Sequence, residues 1–317
     1  MSSIKIVALA GGVGGAKLAD GLAQVLQPSD LTVIVNTGDD FTHLGLEISP
    51  DLDTVCYTLA GMANPGTGWG RNNDTWNVLN ELNRLGMPGW FQLGDADIAT
   101  QLVRTILLQQ GFSLSQVTAY FCKKWNVKVR VLPMSNESIQ TWVYTDEGDQ
   151  QFQEYFVHQR CEPEVKGFHF EGVEKSKPAP GMIKAIKDSD AVILCPSNPW
   201  VSIDPILAIP KVKHAITKRK VYAVSPIIGN KTVKGPAAKM FAELGIQPSS
   251  IAIAEHYKGL IHCLFIDNTD RDMVGEINRL GVFTIVTDIL MKDRADRKRF
   301  AHELIDVISK DIEGQNK

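Results

Sequence analysis

The sequence predicts an α/β protein: a Rossmann-like open, mostly parallel sheet covered by helices, with an inserted helical and small antiparallel β segment. Three observations predict it. The chain begins with an apolar run, a glycine-rich turn and a helical pattern. After Pro178, short apolar runs again alternate with helix-forming stretches, the rhythm of a parallel sheet covered on both faces. Between residues 63 and 172 that rhythm is replaced by helical patterns and then short β-like pieces. The expected organisation is a discontinuous nucleotide-binding core of residues 1–62 and 173–317, with residues 63–172 as a helical and β-hairpin insertion.

Residues 4–10 (Ile-Lys-Ile-Val-Ala-Leu-Ala) have the length and composition of a buried strand. Gly11-Gly-Val-Gly-Gly15 follows, then a helical pattern over residues 16–26. Residues 31–35 form a second strand, ending in Asn36-Thr-Gly-Asp-Asp40. Ser49-Pro50-Asp51 reads as a helix start, because serine caps, proline suits the first turn and acids complement the dipole. That helix should run to about Met62.

Residues 64–71 form a glycine-rich loop. Helical patterns then cover 74–84, 95–110 and 115–125, punctuated by Gly94 and Gly111. Residues 129–132, 141–145 and 151–158 read as short strands, with a hairpin turn at Asp146-Glu-Gly-Asp149. Four further strands are expected at 191–195, 221–224, 262–266 and 282–286, and a final amphipathic helix at 293–309. The core sheet thus takes two strands before the insertion and about four after it.

The chain has 317 residues, 44% apolar and 22% charged, enough for a large core and incompatible with a disordered chain. It carries 33 basic and 36 acidic residues, a net charge of −3, so nothing drives it generally toward nucleic acid or anionic lipid. Cys56, Cys122, Cys161, Cys195 and Cys263 show no C-x-x-C spacing and read as reduced thiols of a cytoplasmic protein. No apolar run approaches the ~20 residues of a membrane span. The first apolar stretch is too short for a signal sequence.

In an open parallel sheet, ligands bind beyond the carboxyl ends of the strands. Four segments fall there: residues 11–17, 36–40, 196–199 and 225–234. The glycine turn brings backbone and helix amides close to an anion, or serves as a tight packing turn. It is neither a P-loop, since Ala16-Lys17 precedes Leu18, nor a full dinucleotide fingerprint, since Lys17 stands where the third glycine belongs. Asp39, Asp40, Asp51 and Asp53 converge if the connecting loop folds back, and such a group requires a proton or a cation. Mg²⁺ suits oxygen-only ligands; the alternatives are dipole complementation and a turn cap, or an acid on a nicotinamide ribose.

Ser197 and Asn198, in Pro196-Ser-Asn-Pro199, offer a hydroxyl and an amide to a base edge or phosphate, or simply belong to a rigid turn. Lys231 and Lys234 add positive charge to a loop able to close over polyphosphate, or are merely solvated. Trp69 beside Gly70, and Trp90-Phe-Gln-Leu-Gly-Asp95, set aromatic rings next to open backbone, suited to stacking on a flat heterocycle or to core packing. No protein nucleophile arrangement is present. Phosphoryl-group transfer, which needs positioning, a metal and cationic clamps, fits this inventory.

Seven motifs in order, Gly11-Gly-Val-Gly-Gly-Ala-Lys17, Asn36-Thr-Gly-Asp-Asp40, Ser49-Pro-Asp-Leu-Asp-Thr54, Gly68-Trp-Gly70, Trp90-Phe-Gln-Leu-Gly-Asp-Ala-Asp97, Pro196-Ser-Asn-Pro199 and Ser225-Pro-Ile-Ile-Gly229 through Lys234-Gly-Pro236, resemble the 2-phospho-L-lactate transferase (CofD) family of coenzyme F420 biosynthesis. Asn230 stands where that family's pattern has a second glycine. The resemblance implies transfer of a phospho-acid (phospholactate, phosphoenolpyruvate or phosphoglycerate) from its guanosine diphosphate conjugate to the ribityl hydroxyl of the deazaflavin Fo, releasing GMP. It also implies Mg²⁺ and a homodimer. By position it gives Asp39 and Asp51 as metal ligands with Asp40 and Asp53 next, and Gly12, Gly14, Gly15 and Lys17 along the phosphates. Ser197 and Asn198 fall on the guanosine, and His43, Trp69, Gly70 and Asp95 around Fo. The competing expectations are a nucleotide-sugar-binding regulatory protein resembling the gluconeogenesis factor, and an NAD-dependent dehydrogenase.

Overall fold

The structure, a computed structural model, describes residues 4–232 and 237–315. β1 (Ile6–Ala10) runs into helix α1 (Gly12–Val25), and β2 (Leu31–Val35) follows. A hairpin of β3 (Phe41–His43) and β4 (Leu46–Ile48) leads to α2 (Pro50–Leu59). The insertion contributes α3 (Asn77–Arg84), α4 (Asp95–Gln109), α5 (Leu114–Lys124) and β5 (Arg130–Pro133). It continues with an antiparallel sheet of β6 (Gln140–Thr145), β7 (Gly148–Gln151) and β8 (Val165–Glu171). The core resumes with β9 (Ala191–Leu194), β10 (Lys220–Val224), a short hairpin of β11 (Ile227–Ile228) and β12 (Lys231–Thr232), β13 (Cys263–Ile266) and β14 (Phe283–Val286). The last helix is Arg294–Gln315.

The central sheet is parallel throughout, in the order β14-β13-β10-β9-β1-β2-β5. Both faces of β1 are buried because its side chains alternate between two cores. Val7 and Leu9 enter one, with Ile206, Ile216 and Phe241. Ile6, Ala8 and Ala10 enter the other, with Leu18, Phe300 and Leu304. The chain leaves β1 toward β2 and β5, then returns to β9 on the other side of β1. The crevice at that reversal of direction is where an open α/β sheet binds its ligand.

The predicted parallel sheet with helices on both faces is present, and three local expectations are corrected. Residues 130–133, expected in the antiparallel part, pair in parallel with β2 and form a seventh strand of the main sheet. Residues 154–158 are a π-helical turn, not a strand, and the third antiparallel strand is β8. The 41–48 hairpin was not foreseen. It carries the chain from the end of β2 back to α2, so the two pairs of aspartates meet. At the tip of β11–β12, Gly229 (φ +56°) and Asn230 (φ +62°) make a two-residue turn. Asparagine tolerates the left-handed conformation, so Asn230 in place of a second glycine preserves that hairpin.

All five cysteines are buried and none forms a disulfide, although the Cys56 and Cys122 thiols share a hydrogen bond at 3.8 Å. Among the described residues no helix is long and apolar enough to cross a membrane.

Candidate functional site

A cleft of about 800 Å³ opens at the carboxyl ends of β1 and β9 and extends under the insertion. Its floor is the glycine turn. Ser197 Oγ accepts from Gly11 N–H (3.1 Å) and donates to Gly11 C=O (2.8 Å), tying the β9 loop to the β1 loop. Gly14 must be glycine because a Cβ there would sit 2.2 Å from the Pro196 carbonyl oxygen. Gly12 opens α1 at φ +59° and gives its N–H to Asp51 Oδ1 at 2.7 Å. No side chain of Gly11 caps the helix, so the positive end of α1 faces Asp51 and the cleft.

Asp51 Oδ2 also accepts from Asn36 Nδ2 (2.9 Å), whose amide bonds Val201 C=O (3.1 Å). Burial pushes the Asp51 carboxyl up to about 6, against the opposing pull of the Asn36 and Gly12 hydrogen bonds. Burial, and then the neighbouring Asp51 charge, hold Asp39 well above the usual carboxylate range. Burial does the same to Asp40, although Ser49 Oγ donates to its Oδ2 at 2.7 Å and the Arg104 charge pulls the other way. Asp39 Oδ1 and Asp40 Oδ1 are buried without a hydrogen-bond partner. Such atoms are costly unless something absent here satisfies them. Asp53 differs from these three, because buried Arg104 pairs with both of its oxygens and Gln101 Nε2 donates to Oδ2 at 2.8 Å.

Among the described residues no three His, Cys, Asp or Glu side chains are grouped so as to hold a metal ion by themselves. Mg²⁺ seldom requires that, since one or two carboxylates with water and phosphate oxygens complete its shell. Asp39 and Asp51, oxygen donors with a mutual charge conflict and an unsatisfied oxygen, fit such an ion.

The far wall is aromatic. Trp90 stacks on His158 (5.1 Å between centroids, 20° between planes) and meets His43 edge-on at 5.0 Å, while Phe91 meets Phe41 edge-on at 4.9 Å. Trp69 lines the mouth and is 40% exposed, with Gly70 beside it at φ +68°. Between the two walls, Tyr57 Oη donates to Asp97 Oδ1 at 2.7 Å, and burial pushes Asp97 up to about 6.

Of the residues singled out from sequence, Gly12, Gly14, Lys17, Asp39, Asp51, Asp53, Trp69, Gly70, Ser197 and Asn198 line this cleft. Lys17 Nζ donates to Met291 C=O (2.6 Å), fastening α1 to the segment after β14. Asn198 Oδ1 accepts from Trp200 N–H (3.0 Å) and caps the turn that follows.

Others fall outside the lining. Gly15 is buried against Ser197 and Ala10, and Asp40 lies behind Ser49. His43 is buried behind Trp90, and burial lowers its pKa. Asp95 accepts from Thr75, Asn77 and the Val78 N–H, capping α3, and these hydrogen bonds bring it down to about 2. Asp74 reciprocates by accepting from the N–H groups of Ala96 and Asp97 at the start of α4. Lys231 is exposed on β12, and Lys234 lies outside the described residues.

Sequence reasoning missed Asp97, Gln101 and Arg104. Their signal is their spacing, since i, i+4 and i+7 share one helix face. The residues that α4 buries are Asp97, Thr100, Gln101, Arg104 and Thr105, whereas Leu102 and Ile106 face outward. That inverted amphipathicity marks a helix facing a polar site.

Comparison with known proteins agrees with the ordered motifs. The family described as 2-phospho-L-lactate transferase CofD matches residues 6–312. A phosphoenolpyruvate transferase from Streptomyces griseus is 43% identical over 92% of this chain and 94% of its own. A 2-phospho-L-lactate transferase from Methanosarcina mazei is 36% identical over 95% and 99%. Among solved structures, a UPF0052 family protein from Bacillus halodurans superposes with a TM-score of 0.63 over 96% of this chain and 99% of its own, at 15% identity. That likeness speaks to the fold alone.

Proposed function

The chain belongs to the 2-phospho-L-lactate transferase family and is a transferase, and on that premise we propose that it acts in coenzyme F420 biosynthesis. It moves a phospho-acid (phospholactate, phosphoenolpyruvate or phosphoglycerate) from its guanosine diphosphate conjugate to the ribityl hydroxyl of the deazaflavin Fo, and GMP leaves. The observation that carries this reading is the junction of Asp39 and Asp51 with the start of α1, where buried acids with an unsatisfied oxygen face a helix N-terminus. An acidic cluster beside an anion-binding turn suits a metal–diphosphate substrate.

Asp39 and Asp51 would hold Mg²⁺, which neutralises charge on the diphosphate and eases departure of GMP. The amides of the glycine turn and the dipole of α1 orient the diphosphate. Ser197 and Asn198 flank the guanosine, and Trp69, Gly70 and Trp90 receive the flat ring of Fo. The ribityl oxygen attacks the phosphorus that carries the acid, the bond from that phosphorus to the GMP oxygen breaks, and the hydroxyl proton passes to a carboxylate of this cluster. Positioning and charge supply most of the rate, as in other phosphoryl-group transfers. Three relatives named phosphoenolpyruvate transferase are 42–44% identical, which makes phosphoenolpyruvate the first acid to try.

The protein acts as a cytoplasmic homodimer in this reading. Its support is an outward apolar face on the insertion: α3 buries none of its residues, and Leu85, Leu102 and Ile106 are exposed.

The test follows deazaflavin fluorescence on binding of Fo, and GMP release from the three guanylylated acids with and without Mg²⁺. Fo binding with Mg²⁺-dependent GMP release is expected. Binding of a UDP-sugar, with neither of those activities, would instead make the chain a regulatory nucleotide-sugar binder.

A further inference from the structure

Cys56 and Cys122 come from distant parts of the chain and meet inside it. Cys56 lies on α2 and Cys122 on α5, and their Sγ atoms are 3.8 Å apart in a hydrogen-bonded contact. The two helices pack together around this point, with the rings of Tyr57 and Trp125 5.1 Å apart between centroids. Cys56 is 3% exposed and Cys122 8%. Cys122, the shallower of the two, borders a second cleft of about 390 Å³, formed by α5, β5 and the loop between them. Lys123, Lys128 and Arg130 line the same cleft, and all three are exposed. No aspartate or glutamate is among its described lining residues.

A thiol reacts as its thiolate, and positive charge at a partly open site favours that form. The hydrogen bond with Cys56 pulls the Cys122 thiol below its ordinary value, against the effect of burial. The same bond, and then burial, push the Cys56 thiol well above it. Cys122 is therefore the sulfur that ionises and meets an oxidant, and Cys56 stays protonated in contact with it. A thiol that ionises beside a second, resolving thiol is the arrangement that oxidants select. The contact also lies close to the acidic end of the main cleft. Cys56 is one helical turn after Asp53 on α2. Cys122 adjoins Phe121, whose ring has the Arg104 guanidinium 5.7 Å from its centroid, and that guanidinium pairs with Asp53. A covalent link between α2 and α5 thus acts on the helix whose first turn carries Asp51.

We propose that Cys56 and Cys122 are a redox pair: hydrogen peroxide entering the second cleft converts them to a disulfide, and this link slows transfer by shifting α2. The Cys122 thiolate attacks one peroxide oxygen and the O–O bond breaks. Cys122 becomes a sulfenic acid, and the departing hydroxide regains the proton that Cys122 gave up, forming water. The Cys56 sulfur then attacks the Cys122 sulfur, the S–O bond breaks, and the hydroxyl leaves as a second water with the Cys56 proton. The thiols lose two electrons in all, and the peroxide gains them. Excess small thiol restores the pair by exchange, as suits a transient, regulatory disulfide. The effect on turnover rests on the proposed transferase reading; formation of the disulfide does not.

The experiment treats the reduced chain with hydrogen peroxide, alkylates the remaining thiols and maps disulfides by mass spectrometry. Turnover is measured in parallel with Fo, Mg²⁺ and the guanylylated acids. The wild type should form a Cys56–Cys122 disulfide and lose turnover by about 10- to 100-fold, the scale of displacing a site by about 1 Å, and dithiothreitol should restore it. Cys122→Ala should turn over like the reduced wild type and keep that rate in peroxide. Cys56→Ala should form no crosslink and should leave Cys122 as a sulfenic acid that dimedone labels. Thermal melting confirms that both variants fold; should either fail to, the mapped disulfide and the reversible loss in the wild type decide without it. Absence of the Cys56–Cys122 disulfide in peroxide-treated wild type overturns the inference. So does a loss of turnover that Cys122→Ala shares, or a disulfide that leaves turnover unchanged. If the reduced wild type transfers from no guanylylated acid, the proposed function falls and the slowing of transfer with it, while the mapped disulfide still decides whether the two thiols are a redox pair.

Discussion

The acidic end of the cleft stands on the carboxyl ends of parallel strands, whereas its aromatic side stands on β3, which carries Phe41 and His43, and on a loop and a π-helical turn of the insertion, which carry Trp90, Phe91 and His158. At the first, specific bonds fix most of the groups, Asp39 Oδ1 being left without one. Ser197 clasps Gly11, Gly12 and Asn36 hold Asp51, and Ser49 holds Asp40. At the second, rings of Phe41, His43, Trp90, Phe91 and His158 fix one another by contact. The difference teaches where chemistry and selectivity reside. Charge needs atomic placement on rigid strands, while a flat heterocycle needs only a surface of the right shape and polarisability.

The largest expected effect follows from the acidic end. Asp39→Asn and Asp51→Asn should each lower kcat by about 10²- to 10³-fold, the usual loss on removing a preorganised charge stabiliser. Melting temperature should hold or rise, because burial disfavours both charges in the absence of a cation. Turnover with Mg²⁺ compared with circular-dichroism melting checks both halves. Full activity in both variants would erase the contrast between the two walls.

Asp97 sits between the walls and tests whether the charge logic extends to it. Burial pushes its carboxyl up to about 6 in the fold, from an ordinary aspartate value of 3.8. Between those values the folded state binds more protons than the unfolded state, so Asp97 makes stability fall as pH rises from about 4 to about 6, with no further change above. Asp97→Asn keeps an acceptor for Tyr57 and does not titrate. Its stability relative to wild type should therefore grow across that window, by at most about 3 kcal/mol, and stay level from pH 6.5 to 8. Denaturant unfolding of both proteins at pH 4.5 and 7.5 measures the difference.

The contrast between the walls is also a contrast in what could be read. Gly14 was legible because a residue lacking Cβ between a strand and a helix has few uses, and its contact with Pro196 is one of them. Asp39 and Asp51 were legible because acids at strand ends and helix starts imply charge compensation. The strand near residues 129–132 was legible, but its place in the main sheet was not, because four residues carry no mark of their partner and β2 lies almost a hundred residues earlier. His43 and Asp95 show the limit from the other side. Each adjoins a correctly placed motif, yet one packs behind Trp90 and the other caps α3. Local sequence names the chemistry a residue can do, but only the tertiary path decides which way it points. The polar stripe of Asp97, Gln101 and Arg104 was written in the helix period, but it means a site only once Leu102 and Ile106 are seen to face outward.

The smallest effect belongs to the aromatic wall, and it sharpens the comparison most. Trp90 is one ring among five, so its loss leaves Phe91 and Phe41 in place behind the gap. Trp90→Ala should raise KM for Fo about tenfold, the scale of one lost stacking contact. Affinity for the guanylylated donor and for GDP should not change, because the proposed function puts those groups on the glycine turn and the Ser197 loop, away from the rings that Trp90 contacts. Trp90→Phe, which keeps a stacking face, should recover most of the Fo affinity. Fluorescence titration with Fo beside calorimetry with GDP separates the two. A parallel loss of both affinities would mean that the walls act as one unit, with the insertion holding the strand-end loops in place instead of presenting its own surface to the acceptor.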